Sequence, residues 1–183
     1  MLSDKDLQLA LIDGSLVVES EKNLTVRPGS ICLHLSNDLL FYEVSLSSVD
    51  FSRPETYPKL VRKKICDVDG YTLKPSEFVL VATLEKVGLS EALGGSLSNL
   101  SGLARLGLNV LLSTHVAPGY GGNKARAFTL EVYNNAPFAV VLRPGMRICH
   151  LVLHKMASPA SIGYDDFVPG KYELAPSGSE YMG

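Results

Sequence analysis

Hydrophobic residues recur along this chain in two rhythms. Near the N-terminus, Leu7, Leu9, Ala10, Leu11 and Ile12 crowd a short segment behind Ser3 and Asp6, and Gly14 closes it. Ser3 and Asp6 stand at the spacing of a reciprocal cap, so a short helix with a wide apolar face is expected here. Beyond Gly14 the period falls to two. The turn Val26-Arg27-Pro28-Gly29-Ser30 leads into alternating Ile31, Leu33 and Leu35. Asn37-Asp38 is expected to turn the chain before a strand over 39–44. Residues 46–76 are the least regular, broken by Pro54, Pro58 and Pro75, and the basic run Arg62-Lys63-Lys64 reads as a solvated loop. Residues 78–84 are apolar on both faces, which marks a covered strand. Residues 89–95 lead to a stretch of small residues and leucines at 101–108. Strands are expected over 109–114, 128–133, 139–142 and 147–156. Turn chemistry separates them at 118–124, 134–135 and 143–146. Short strands about ten residues apart argue an all-β sandwich, jelly roll or distorted barrel, with little helix beyond the N-terminal one.

Composition narrows the class. The chain has 183 residues, 46% hydrophobic and 20% charged, enough for one sizeable core, and residues 1–183 are read as a single domain. A net charge of −2 leaves no electrostatic footprint for nucleic acid or an anionic membrane. Cys32, Cys66 and Cys149 are far apart and odd in number, which suggests a reducing compartment rather than a disulfide framework. The acidic start has no apolar signal core, and no apolar run is long enough to span a bilayer, so a cytoplasmic protein is expected. From Ser158 onward Pro and Gly recur. This tail, 158–183, must lie on something or stay mobile.

Two places invite chemistry. In Ser101-Gly102-Leu103-Ala104-Arg105-Leu106-Gly107-Leu108 one arginine sits among small residues and leucines. Either it reaches solvent from a packed turn, or it meets a buried anion. Glu131 is a carboxylate inside the apolar strand 128–133. Alternation places it with Thr129 and Tyr133 on one face, opposite Phe128, Leu130 and Val132. That face is either solvated or holds a general base. His150 and His154 share a strand face but stand roughly 13 Å apart, too far for one metal. His34 and His115 lack a ligand at metal spacing, and no C-x-x-C, H-E-x-x-H, G-x-S-x-G, Walker loop or G-x-G-x-x-G occurs. The zinc deaminase signature is absent, so no protein-held metal is expected.

An ordered set of segments goes further: the start Met1 to Leu7, Val26-Arg27-Pro28-Gly29-Ser30-Ile31, Ser101 to Leu108, Pro118-Gly119-Tyr120, Leu130-Glu131-Val132-Tyr133-Asn134, Leu142-Arg143-Pro144-Gly145-Met146 and Lys171-Tyr172. In this order the chain resembles the dCTP deaminase family of the dUTPase-like superfamily over nearly its whole length. The resemblance implies a homotrimer of distorted β-barrels with active sites at subunit interfaces, and a tail packing over each site. It implies hydrolytic deamination of dCTP to dUTP and ammonia without zinc, Mg²⁺ accompanying the triphosphate. Glu131 falls on the base that activates water, and Arg105 and Ser101 on its helpers. Gly102, Ser113, Ala117, Tyr120, Tyr164, Lys171 and Tyr172 fall on substrate-binding positions. The implied partners are a pyrimidine deoxynucleotide triphosphate and further copies of the chain, with neither nucleic acid nor membrane.

The departures from the pattern define two alternatives. Leu100 stands where a cation is expected, Gly102 for a second serine, Ala117 for the aspartate that meets the deoxyribose, and Cys32 for an early aspartate. The hairpin between Gly122 and Glu131 is longer than usual, and Glu173-Leu174-Ala175 replaces the usual Gln-Gly continuation. These changes suit a catalytically impaired nucleotide-binding trimer. Gly102 and the Arg147 to Leu151 strand lean to a dUTP pyrophosphatase, against which Ala117 counts.

Overall fold

The computed structural model describes residues 1–43, 48–50, 52–65 and 69–167. Lys171, Tyr172, Cys66 and most of the tail lie outside the described residues. In chain order the elements are α1 (Asp4–Asp13), β1 (Leu16–Glu19), β2 (Thr25–Arg27), β3 (Ser30–Tyr42), a 3-10 turn (Pro54–Thr56), β4 (Leu60–Lys64), β5 (Tyr71–Leu73) and β6 (Phe78–Leu89). Then come β7 (Leu93–Asn99), α2 (Ser101–Arg105), β8 (Leu108–Asn109), β9 (His115–Val116), β10 (Arg126–Asn134), β11 (Val140–Leu142), β12 (Arg147–Lys155) and α3 (Tyr164–Phe167). The architecture is all-β, as the strand spacing implied. α1 carries the full capping box, Ser3 Oγ accepting from the Asp6 amide and the Asp6 carboxylate from the Ser3 amide, and it ends at Gly14 in the left-handed region. Leu7 and Ala10 are its docking residues.

Ten strands form one curled antiparallel sheet with the path β8-β10-β6-β3-β12-β7-β9, β1 adding to β6 and β2 and β4 to β3. β11 and β5 make a small second sheet. The curl comes from β3, whose first half pairs with β12 and whose second half pairs with β6 and β4. A single strand thereby serves both halves of the barrel wall, bending where its register slips between Leu35 and Leu39. Ile31, Leu33, Leu35, Leu39, Leu130, Leu142 and Ile148 are among the fully buried side chains at its centre.

β6 is bulged against β10 over residues 83–85, its pairing with β3 ends at Thr83, and polar side chains take over the broken ladder. Glu85 reaches toward β3, accepting the His34 amide at 2.8 Å and meeting His34 Nδ1 at 2.6 Å. Thr83 serves the other side: its hydroxyl accepts the Phe128 amide at 2.9 Å and donates to the Glu85 carbonyl at 2.8 Å. All three side chains are buried, so these bonds are obligatory rather than optional.

Three sequence expectations change. Asn37-Asp38 is no turn. It lies inside β3, where Asn37 accepts the Ile65 amide and Asp38 pairs with Lys64, so flanking strands override turn propensity. The basic run Arg62-Lys63-Lys64 is not a loop but part of β4, an edge strand with outward charges, a common way of protecting an edge from further pairing. The expected strand 109–114 shrinks to β8, for a reason found at the site itself. Residues 89–95 already enter β7, which runs the length of β12.

Thr83→Val is expected to lower stability by about 1–3 kcal/mol despite equal volume, because the Phe128 amide is orphaned. Urea denaturation at fixed protein concentration checks this, and a change below about 0.5 kcal/mol would contradict the bulge's role.

Candidate functional site

Glu131 emerges at the middle of β10. Phe128, Leu130 and Val132 point into the core, and Thr129, Glu131 and Tyr133 form the half-buried opposite face. The segment after β8 crosses this face. Its four consecutive amides find no strand partner and are taken by side-chain oxygens. Val110 donates to Asn99 Oδ1 at 3.1 Å and Leu111 to Asn109 Oδ1 at 3.1 Å. Leu112 and Ser113 both donate to Glu131 Oε2 at 3.2 Å. This capture is why 110–114 does not form the expected strand: acceptors on neighbouring elements satisfy its amides individually. Glu131 Oε2 is thus fixed by two backbone dipoles, while Oε1 has no partner among the described residues.

Ser113 therefore reaches Glu131, through its amide. The leucine–glycine stretch does not. α2 is one short helix with exposed Ser101, Gly102, Ala104 and Arg105, and only Leu103 is half-buried. Arg105 makes no ion pair with Glu131 or with any other described carboxylate of its own chain. The solvent-facing alternative describes it within this chain. The two glycines divide. A Cβ on Gly102 would meet open space, whereas Gly107 has φ +80° and a Cβ there would lie 2.9 Å from the Ala136 amide nitrogen. Close approach within the chain is therefore the work of Gly107, where α2 passes into β8.

Ala117, Tyr120 and Tyr164 form a second cluster near the start of β10, roughly 13 Å along the strand from Glu131. Ala117 is half-buried, and its carbonyl accepts the Tyr120 amide. The Tyr120 ring stacks on Phe128 with centroids 4.9 Å apart and stands 6.0 Å from Tyr164, and its hydroxyl donates to the Ala127 carbonyl at 2.9 Å. A concavity of about 220 Å³ lies beside this cluster, lined by Gly88, Ser90, Glu91, Gly121, Asn123 and Asp165. Sequence reasoning missed Asn99, Asn109, Arg126 and Asp165, polar residues whose roles rest on the folded positions of the amides and side chains they meet. The lengthened hairpin before Glu131 was the one visible hint of Arg126.

Among the described residues no three His, Cys, Asp or Glu side chains converge as a metal site. Cys32 and Cys149 are buried, and burial pushes the Cys149 thiol well above its ordinary range, so neither is placed as a nucleophile. No helix among the described residues is long and apolar enough to cross a membrane.

A family model described as dCTP deaminase-like matches residues 1–156. The chain belongs to that dCTP deaminase-like family. Relatives include the dUMP-forming dCTP deaminase of Sulfurihydrogenibium sp. (strain YO3AOP1), 32% identical over 94% of this chain and 91% of its own. The dUMP-forming dCTP deaminase of Corynebacterium jeikeium is 35% identical over 94% and 91%, and the dCTP deaminase of Thermomicrobium roseum 33% identical over 90% and 84%. Among solved structures, the 2'-deoxycytidine 5'-triphosphate deaminase from Agrobacterium tumefaciens matches with a TM-score of 0.62 at 18% identity, covering 85% of this chain. The chain spans about half of that one, 47%. The EIAV dUTPase follows with a TM-score of 0.50 at 11% identity, covering 82% of this chain and 97% of its own. These two likenesses concern the fold, and they bear out the distorted barrel of dUTPase type.

Gly107→Ala is expected to cost about 1–3 kcal/mol, since it combines left-handed backbone with a backbone clash. Gly102→Ala should stay within about 0.5 kcal/mol. Parallel denaturation curves check the pair, and equal losses would show that Gly102 also has a packing role.

Proposed function

We propose that the chain hydrolyses the exocyclic C–N bond of dCTP to give dUTP and ammonia, with Glu131 as the general base. The observation that carries this reading is the Glu131 carboxylate, anchored through one oxygen by the Leu112 and Ser113 amides and open at the other. In the proposed reaction the open oxygen takes a proton from water as the water attacks C4 of cytosine. It then returns the proton to N3, and a further transfer to the amino nitrogen releases ammonia. The anchored oxygen holds the carboxylate in place through both transfers, so little reorganisation is needed. Mg²⁺ enters with the triphosphate as part of the substrate, chelated by phosphate oxygens.

In this proposal the working unit is a cytoplasmic homotrimer of single-domain chains. The exposure of Ser101, Gly102 and Arg105 and their separation from their own Glu131 support a site completed across subunits. α2 of one copy would face Glu131 of the next, Arg105 supplying the cation and Ser101 a hydroxyl. Tyr120, Tyr164 and the backbone around Gly102 and Ala117 would serve sugar and phosphates, and the tail with Lys171 and Tyr172 would pack over them. A second reading is favoured by the names of two of the relatives, which are dUMP-forming: further cleavage to dUMP and diphosphate at the same site. Ala117 and Leu100 support a third, a trimer that binds nucleotide with impaired turnover.

Incubation with dCTP and Mg²⁺ should release ammonia and dUTP, and Glu131→Gln should lower kcat by about 10²-fold or more with an unchanged melting curve. Appearance of diphosphate with dUMP would select the second reading. No ammonia from dCTP, dCMP or CTP would leave only the binding reading. The native mass should be near three times that of the 19.7 kDa chain. Co-assembled Glu131→Gln and Arg105→Ala chains should regain activity that neither has alone, which sites built within one chain would not allow.

A further inference from the structure

α3 is four residues long and buries no side chain, so neither helix propensity nor a core holds it in place. Polar contacts to the 118–123 turn do. The Tyr164 amide donates to the Pro118 carbonyl at 2.9 Å. Asp165 accepts the amides of Gly121 at 3.2 Å and Asn123 at 3.4 Å, and it is ion-paired with Arg126. Asn123 Nδ2 donates to Asp166 at 3.3 Å. Two glycines let the backbones touch: a Cβ on Gly119 would lie 2.4 Å from the Gly163 Cα. The Arg126 guanidinium also lies 4.9 Å from the centroid of the Tyr120 ring. Its side chain is 24% exposed and that of Asp165 12%, so the pair is substantially shielded from water.

We propose that Arg126 is a positioning residue for nucleotide binding, tying α3 to the 118–123 turn through Asp165 and thereby setting Tyr164 against Tyr120. This rests on the reading above that the two tyrosines contact the nucleotide. Arg126 lies in the lengthened hairpin, so the extra residues gain a purpose: they carry a cation to a carboxylate 39 positions further on. A planar guanidinium fits both tasks, facing a ring while its edge donates to a carboxylate. Without it Asp165 keeps two longer amide bonds, and the short helix loses its ion pair to the hairpin. The contacts of Arg126 with Asp165 and Tyr120 lie at the tyrosine cluster, so the effect falls on binding rather than on the chemical step.

The test compares wild type with Arg126→Gln, Arg126→Lys and Asp165→Asn in the full chain. It uses steady-state kinetics with dCTP and Mg²⁺, equilibrium binding of dCTP, and hydrogen exchange at the Gly121 and Asn123 amides. Arg126→Gln should raise KM and Kd about tenfold with kcat within about threefold, and should speed exchange at both amides. Arg126→Lys should fall between, keeping charge but losing the planar fork. Faster exchange with unchanged Kd would overturn the proposal, as would a loss confined to kcat. A wild type that binds dCTP without releasing ammonia would overturn the deaminase reading alone, and the Kd comparison would still decide the role of Arg126. A wild type that binds no nucleotide would overturn both.

Discussion

The bulge at residues 83–85 of β6, where pairing with β3 also ends, sets the geometry of the barrel wall. A strand that must bend while paired on both sides loses ladder bonds on both sides, and buried peptide groups do not tolerate that loss. Glu85 replaces the missing partner toward β3, and Thr83 replaces it toward β10. The His34–Glu85 contact then satisfies the carboxylate brought inside. Because Thr83 holds the Phe128 amide, the same device sets where β10 resumes regular pairing at Thr129, and with it which residues of β10 face outward. The position of Glu131, opposite Leu80, descends from a bulge that begins just beyond Ala82 in the neighbouring strand.

Around Glu131 the roles of framework and chemistry overlap. The 110–113 segment has no ladder of its own, and two asparagines and one glutamate take its amides. The glutamate is thus a structural acceptor through one oxygen, and in the proposed reaction it carries the proton through the other. A side chain that fixes the loop over itself needs no separate support to keep its orientation. This economy also explains the weak strand character of the segment: its alternation resembles a strand, while its hydrogen bonds run to side chains.

The described chain gathers the candidate residues into three places: Glu131 with Ser113, the exposed surface of α2, and the Tyr120–Tyr164 cluster held by Arg126 and Asp165. Within one copy they do not meet. Closed-symmetry assembly offers a physical route by which surface groups of one copy complete the site of another, since every patch then recurs on each subunit. That the departures Leu100 and Gly102 fall on α2, and Ala117 near the tyrosines, leaves Glu131 and its two amide donors intact as a unit.

Local pattern was enough for the all-β class, the capped N-terminal helix, the two-faced alternation of β10 and the turns at 118–124 and 143–146, because each rests on near-neighbour sterics or on period-two burial. The resemblance singled out Glu131 as the residue of chemical interest, and the family match agrees with that resemblance. Tertiary structure decided the rest. Asn37-Asp38 became strand because β4 and Ile65 pair beside it, and residues 110–113 lost their strand because Asn99, Asn109 and Glu131 took their amides. Arg105 turned to solvent because α2 is a single turn on the surface. Arg126 and Asp165, 39 positions apart, met only through the folded hairpin. The amino-acid sequence by itself determined which backbone groups and side chains had to be satisfied. Which partner satisfied each was a question of distance in space, and only the curled sheet could answer it.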